Sequence, residues 1–104
     1  MPTLTPAAAE QVRRVAAMSG NERLALRLAA RWVDSDESWD YGIGFDEPRE
    51  HDQRYVSEGV MLLVSSLSQE AVEGLIIDYV ELEPGNHRFI FYHRLPQETA
   101  DGPA

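Results

Sequence analysis

The chain has 104 residues, a formal net charge of −9 and no cysteine. Its length suits one domain with a single core, and its acidic surface argues against nucleic acid or a membrane as a partner, because anionic partners are bound largely through basic side chains. The absence of cysteine from the sequence excludes disulfides, thiolate nucleophiles and thiolate metal ligands.

The N-terminal segment predicts a helix and not a secretory signal. MPTLTPAAAEQVRR lacks a basic start followed by a continuous apolar run, so we expect a cytoplasmic protein. Thr5 and Pro6 favour a helix start, because a hydroxyl can cap free backbone N–H groups and proline needs no donor in the first turn. Apolar residues at helical spacing follow, and Gly20-Asn21 supplies the stop.

Two strands are predicted on either side of an acidic loop. From Leu24 to Trp32 apolar residues alternate with polar ones, which is typical of a half-buried strand. The alternation returns over residues 39–45, where bulky side chains on one face alternate with Asp40 and two glycines on the other. The loop region 33–48 carries six carboxylates, and Arg31 is the one basic neighbour that the sequence indicates could balance them.

The second half of the chain predicts two hairpins and a short helix. Residues 55–64 contain two apolar runs around a glycine-containing turn. Ser66 is the predicted cap of a helix of one or two turns that stops at Gly74. Strands 75–82 and 87–94 are joined by a Pro-Gly turn. The sum is an α+β domain of mostly antiparallel or mixed β-sheets, with an N-terminal helix and one short helix.

The acidic loop allows a metal site, but its spacing does not specify one. Asp34, Asp36, Glu37 and Asp40 could offer oxygen ligands to a hard cation. The spacing matches no EF-hand, and none of the three histidines stands at a ligand spacing. A solvated surface is the other interpretation. An enzyme that used these carboxylates as acid and base is a further alternative, for which the sequence shows no pocket.

Catalytic motifs are absent from the sequence. It contains no G-x-S-x-G turn and no complete glycine-rich phosphate loop. His51 beside Asp52 is interpreted as a polar pair in a loop. We therefore predict that the chain is not an enzyme, and we assign it no catalytic residue, no metal and no cofactor.

The order of segments resembles a known family over residues 3 to about 94. The segments that carry the likeness are TLTPAAAEQVRR, LALRLAARW, YGIGFDEPRE, SEGVMLLV, GLIIDYVEL and FIFYHR. In this order they resemble the HesB/IscA-like family of A-type iron–sulfur carriers. The resemblance implies a HesB-like domain over 1–95, followed by a flexible C-terminal tail over 96–104.

The resemblance also implies where ligands would lie. The family holds iron or a cluster with one cysteine in the loop before the tyrosine-glycine strand and two in a C-terminal Cys-Gly-Cys. Matched to this sequence, the three positions are occupied by Asp36, Ala100 and Gly102. These residues cannot replace three thiolates, which are the soft ligands that iron–sulfur clusters require.

The resemblance implies a protein that keeps the carrier fold but has lost the carrier's ligands. We predict a non-catalytic accessory or regulatory protein that acts by protein–protein contact in a bacterial sulfur-oxidation (dsr) pathway. Its expected partner is a sulfur-oxidation or cluster-pathway protein, and the chain itself is expected to be a monomer or a weak homodimer. The alternative is an iron-binding or iron–sulfur assembly protein that uses carboxylate and histidine ligands, such as Asp36 with His93 of a second subunit.

We place the interaction surface on the acidic loop and the last strand. Its predicted members are Asp34, Asp36, Glu37, Trp39, Asp40, Tyr92 and His93. The parity of Trp39 with Tyr41 and Ile43 favours a core position for its side chain over a functional one. The last strand has large side chains on both faces, which fits burial on both sides or an interface. Arg31 is expected to pair with one acid of the loop.

Overall fold

The computed structural model describes residues 1–93, which form seven strands and two helices. In chain order these elements are β1 (Thr3–Leu4), α1 (Pro6–Ser19), β2 (Ala25–Val33), β3 (Ser38–Asp46), β4 (Gln53–Ser57), β5 (Val60–Val64), α2 (Gln69–Val72), β6 (Leu75–Glu83) and β7 (Asn86–His93). The predicted α+β class is confirmed. The predicted tail 96–104 and the ligand positions Ala100 and Gly102 lie outside the described residues.

The strands form two sheets. The smaller sheet has the order β1-β6-β7, in which β1 runs parallel and β7 antiparallel to β6. The larger sheet has the order β3-β2-β5-β4, in which the central pair β2 and β5 is parallel and the outer pairs are antiparallel hairpins. The sequence predicted the hairpins but not β1, because two residues are too few to show a period.

Both ends of α1 are fixed by the residues that the sequence indicated. The Thr5 hydroxyl oxygen accepts a hydrogen bond from the backbone N–H of Ala8 at 3.1 Å, and Pro6 occupies the first turn. Gly20 ends the helix with a φ of 74°, a left-handed conformation that glycine adopts without a steric penalty. Thr5 also donates to the Asp78 carboxylate at 2.6 Å, which ties the start of the helix to β6.

The cap predicted for the short helix was wrong. The helix begins at Gln69 and Ser68, not Ser66, precedes it. Instead of capping the helix, the buried Ser68 hydroxyl accepts a hydrogen bond from the Ala30 backbone N–H at 3.1 Å. A long-range contact with β2 therefore takes the place of the local cap, and it holds α2 against the larger sheet.

The core lies between α1 and the facing sides of the two sheets. Its fully or nearly fully buried members are Leu4, Ala8, Ala9, Val12, Leu26, Leu28, Val60, Leu62, Val64, Val72, Leu75 and Ile77. Half-buried aromatic side chains of β3, β4, β6 and β7 pack against this core. No helix in the described part of the chain is long and apolar enough to cross a membrane.

Candidate functional site

The acidic loop is a tight turn between β2 and β3. Val33 and Ser38 are register partners, so the four residues from Asp34 to Glu37 form the whole connection. The N–H groups of Asp36 and Glu37 donate to the carbonyls of Val33 and Asp34, each at 3.2 Å. All four turn residues are exposed, and Glu37 has a φ of 49°, which is uncommon for a residue other than glycine.

Two tryptophans form an exposed pair just below this turn. Trp32 and Trp39 are register partners, and their ring centroids lie 5.4 Å apart in an edge-to-face arrangement. Trp32 is 48% exposed and Trp39 is 40% exposed. The core position favoured for Trp39 was therefore wrong, although the strand parity behind it is right. The pair places a contiguous aromatic surface beside the acidic turn.

The reason for this exposure lies on the facing sheet. The Tyr41 ring stacks on Phe91 with centroids 5.9 Å apart and contacts His93 at 6.2 Å. The Tyr41 hydroxyl donates to the Ala71 carbonyl at 3.4 Å, and burial raises the pKa of this hydroxyl. Within residues 1–93, Tyr41 is thus the last residue of β3 in aromatic contact with β7. Trp39 lies two residues further along the same face.

The remaining predicted surface residues divide between two places. Asp40 points to the outer face of the hairpin, and its carboxylate lies 3.5 Å from the exposed Arg31 guanidinium, as the sequence indicated. His93 faces Tyr41 and so lies near the hairpin. Tyr92, the adjacent residue of β7, points to the opposite face of the smaller sheet. The structure therefore brings His93, but not Tyr92, to the side of Trp39.

An arginine cluster at the other end of the hairpin was not predicted. The Arg27 guanidinium donates to both oxygens of Asp52, at 2.8 and 2.7 Å, and to Asp46 at 2.7 Å. The side chain of Arg27 is 15% exposed and that of Asp52 is 3% exposed. Asp46 also accepts from the Arg49 guanidinium at 3.0 Å. Arg31 is therefore not the one basic residue that balances the acidic region. The predicted polar pair of His51 with Asp52 was wrong, because Asp52 is bound by Arg27 and by the Arg49 backbone N–H.

This cluster keeps its carboxylates ionised. The hydrogen bonds from Arg27, supported by one from the Arg49 backbone N–H, hold the pKa of Asp52 well below its usual value. The same guanidinium and the Glu47 backbone N–H lower the pKa of Asp46. The hydrogen bonds to Asp52 in turn raise the pKa of Arg27. The cluster fixes the loop after β3 against β2, which is a structural role.

The described residues do not assemble a metal centre. Within residues 1–93, no group of three histidine, aspartate or glutamate side chains lies close enough together to hold an ion. His87 stacks on Tyr79, with centroids 5.6 Å apart, at one end of β7, whereas His93 lies at the other end. Asp36, the residue matched to the family's first ligand, is exposed in the turn.

Comparison with known proteins identifies relatives of the chain. No protein-family model matches it. The iron–sulfur cluster insertion protein ErpA of Acinetobacter baumannii is 38% identical over 88 residues, which cover 84% of this chain and 78% of that protein. This relative is an insertion protein and not a catalyst, which agrees with the prediction that the chain is not an enzyme.

Solved structures show the same fold. The crystal structure of IscA with the [2Fe-2S] cluster superposes with a TM-score of 0.77 at 25% identity, covering 89% of this chain and 85% of IscA. Escherichia coli SufA, involved in biosynthesis of iron–sulfur clusters, superposes with a TM-score of 0.73 at 25% identity, covering 93% of this chain and 83% of SufA. The chain therefore belongs to the HesB/IscA-like family of A-type iron–sulfur carriers.

Proposed function

We propose that this chain is a member of the carrier family that holds no cluster and acts by protein–protein contact. The observation that carries the proposal is the ligand set. The sequence has no cysteine, and the three positions matched to the family's ligands are Asp36, Ala100 and Gly102. Alanine and glycine have no ligating side chain, and a single exposed carboxylate is a hard ligand for a site that needs soft thiolates. The residues present do not fit a cluster.

The contact surface that we propose is the end of the β2–β3 hairpin. It combines the exposed Trp32 and Trp39 rings with the carboxylates of Asp34, Asp36, Glu37 and Asp40, and His93 lies on its flank. Tryptophans supply much of the binding energy in many protein interfaces, and charged rims set orientation and association rate. A fitting partner would offer an apolar pocket for the rings and basic residues around it.

For the pathway we propose bacterial sulfur oxidation. Support comes from the combination of the carrier fold with a cysteine-free sequence, which resembles DsrR, the cysteine-free carrier-like protein associated with dissimilatory sulfur oxidation. On this proposal the chain is a cytoplasmic accessory or regulatory protein, and its partner belongs to the sulfur-oxidation or cluster pathway. A deletion strain with unchanged sulfur oxidation would contradict this assignment.

The first experiment is anaerobic reconstitution of the purified chain with iron and sulfide. The wild type is expected to stay colourless and iron-free. The matched control is the triple variant Asp36→Cys, Ala100→Cys, Gly102→Cys, which restores a thiolate at each matched position and should gain iron and visible cluster absorbance. Iron bound by the wild type and lost in Asp36→Ala would support the carboxylate and histidine alternative, and would overturn the proposal.

A further inference from the structure

Strand β3 has a long open edge. It contains nine residues and pairs in unbroken register with β2 along one side. Within residues 1–93 no strand pairs with its other side. In an antiparallel strand every second N–H and C=O points away from the paired neighbour, so these groups of β3 are available for an added strand.

The other edge strands carry more features that discourage pairing than β3 does. Strand β1 has two residues, and β4 has five with Arg54 among them. Strand β7 carries Arg88 and a histidine near each end. Charged side chains, proline, bulges and short length are the devices that protect sheet edges. Strand β3, SWDYGIGFD, has nine residues, no proline and no bulge in its register with β2, and its two charged residues, Asp40 and Asp46, are each paired with an arginine of β2.

The outer face of β3 leaves room for a neighbour's side chains. Gly42 and Gly44 stand on this face, and a Cβ atom at either position would meet no atom within 4 Å. A shallow depression of about 260 Å³ lies over the two glycines and is bordered by Arg27, Ala29 and Asp46. The opposite face of β3 carries its bulky residues from Trp39 to Phe45. An added strand would therefore meet apolar rings on one face and open space on the other.

Strand β2 already pairs with β3 along its other edge, so its side chains indicate which residue types a second neighbour of β3 would need. Its apolar residues stand beside the bulky face of β3, and its arginines stand on the outer face: Arg31 pairs with Asp40, and Arg27 with Asp46. The acidic turn adds negative charge at one end of the edge. A second copy of the chain would bring a further net charge of −9, which disfavours self-association.

We infer that the free edge of β3 takes up an extended segment of the partner protein as an added antiparallel strand, with apolar residues at alternate positions and basic residues between them. This inference rests on the proposed function and specifies the mode of recognition. Backbone hydrogen bonds along β3 supply affinity, and the alternating side chains supply specificity. The added strand also passes beside Trp39, so the edge and the tryptophan pair form one continuous surface.

A synthetic peptide with the β2 sequence, LALRLAARWV (residues 24–33), is the probe. Amide hydrogen exchange is followed by NMR on the full chain. The outward β3 amides should exchange fast in the free protein and gain saturable protection with the peptide, while β2 amides stay protected throughout. Replacing both peptide arginines by glutamate should weaken binding by about tenfold or more, since each loses one charge-assisted contact.

Two N-methylated peptides give the sharpest control. Methyl groups on alternate amide nitrogens block pairing on one edge of the peptide and leave its side chains unchanged. One methylation pattern should abolish binding and the other should leave it intact, because one edge of the added strand faces β3 and the other faces solvent. Equal effects of the two patterns would overturn the inference. The inference would also be overturned if the outward β3 amides were already protected from exchange in the free protein. Such protection would mean that a second copy, or another part of the same chain, already pairs with this edge.

A competition experiment separates this inference from the proposed function. Saturating peptide should displace the natural partner from the chain. If a partner complex forms and saturating peptide does not displace the partner, the partner binds another surface. The inference about the β3 edge is then wrong, whereas the proposed function stands. If the wild-type chain forms no specific complex with any sulfur-oxidation or cluster-pathway protein, the proposed function fails, whatever the peptide does.

Discussion

The two ends of the β2–β3 hairpin have the same alternating pattern but different surroundings. At the base, Leu26 and Phe45 are register partners in or against the core, and Arg27 is held by two carboxylates on the outer face. At the tip, Trp32 and Trp39 are register partners on the same face as Leu26 and Phe45 but are exposed. Alternation determines which face a side chain takes, and the facing sheet determines whether that face is buried.

The largest expected effect is the loss of stability when a side chain in the buried part of the hairpin is truncated. Leu28→Ala removes a side chain that is fully buried, and should lower the free energy of unfolding by about 2–5 kcal/mol through lost burial and a cavity. Trp32→Ala, on the same face of the same strand, should cost less, because its side chain is 48% exposed; its pair with Trp39 contributes about 0.5–1.5 kcal/mol beyond the area that Trp32 buries. Urea unfolding measures both. Equal losses would show that the tip is packed as tightly as the base.

The second prediction concerns binding at the tip. Trp39→Ala should lower partner affinity by about 30-fold or more, as expected for a tryptophan at the centre of an interface. Leu67→Ala is the matched control, because Leu67 is also apolar and is 90% exposed outside the hairpin. Calorimetric titration of each variant with the partner measures the difference. An unchanged affinity of Trp39→Ala would remove the tryptophans from the proposed surface.

The third prediction tests the base of the hairpin by pH. The pKa of Asp52 is lower in the folded chain than its ordinary value of about 3.9, so the unfolded chain binds the extra proton. The stability that Asp52 contributes is therefore full above about pH 5 and falls as the pH drops below about 4. Asp52→Asn should lower the free energy of unfolding at pH 7 and should make its fall between about pH 5 and acid pH, the acid limb, less steep.

Asp46→Asn is the control for this pH dependence. Asp46 accepts one hydrogen bond from Arg27, whereas Asp52 accepts two. Replacing Asp46 should therefore flatten the acid limb less than replacing Asp52 does. Urea midpoints between pH 2 and pH 7 give the comparison. An acid limb that is the same in the wild type and in Asp52→Asn would show that the Arg27 cluster does not govern acid stability.

The smallest expected effect is at the turn itself. Glu37→Gly should raise the free energy of unfolding by about 0.5–1 kcal/mol, because glycine takes a positive φ without the steric penalty of a Cβ. Glu37→Ala removes the same charge but keeps the Cβ, so it should give no such gain. If both variants are stabilised equally, relief of charge repulsion in the acidic turn, and not backbone strain, is the cause.

Local signals in the sequence predicted the elements whose ends are fixed by nearby residues. Thr5 and Gly20 bound α1, and the glycine-containing turn and the Pro-Gly turn join the two later hairpins, as expected. In each case the residues that determine the structure lie within a few positions of one another. The family resemblance added the order of the elements, and the comparisons confirm it.

The features that the sequence did not predict depend on distant contacts. Ser68 contacts Ala30, which is 38 positions away, and this contact replaces the cap expected at Ser66. Arg27 binds Asp52, 25 positions away. The exposure of Trp39 depends on how far along β3 the contacts with β7 extend. Strand parity predicts the face that a side chain takes, but not the extent of these contacts. Of the candidate site, the sequence therefore indicated every residue except Trp32, which the alternation places on the buried face of β2, but it did not indicate that Tyr92 lies on the far face of β7.

The two glycines of β3 also affect how this surface can change during evolution. At Gly42 and Gly44 an added Cβ atom would meet no atom within 4 Å, and neither position has the positive φ that requires glycine. Substitutions there leave the core packing untouched, and β-branched residues would even favour the strand. A lineage can therefore add small side chains to this face of the hairpin one residue at a time, without displacing a neighbouring atom.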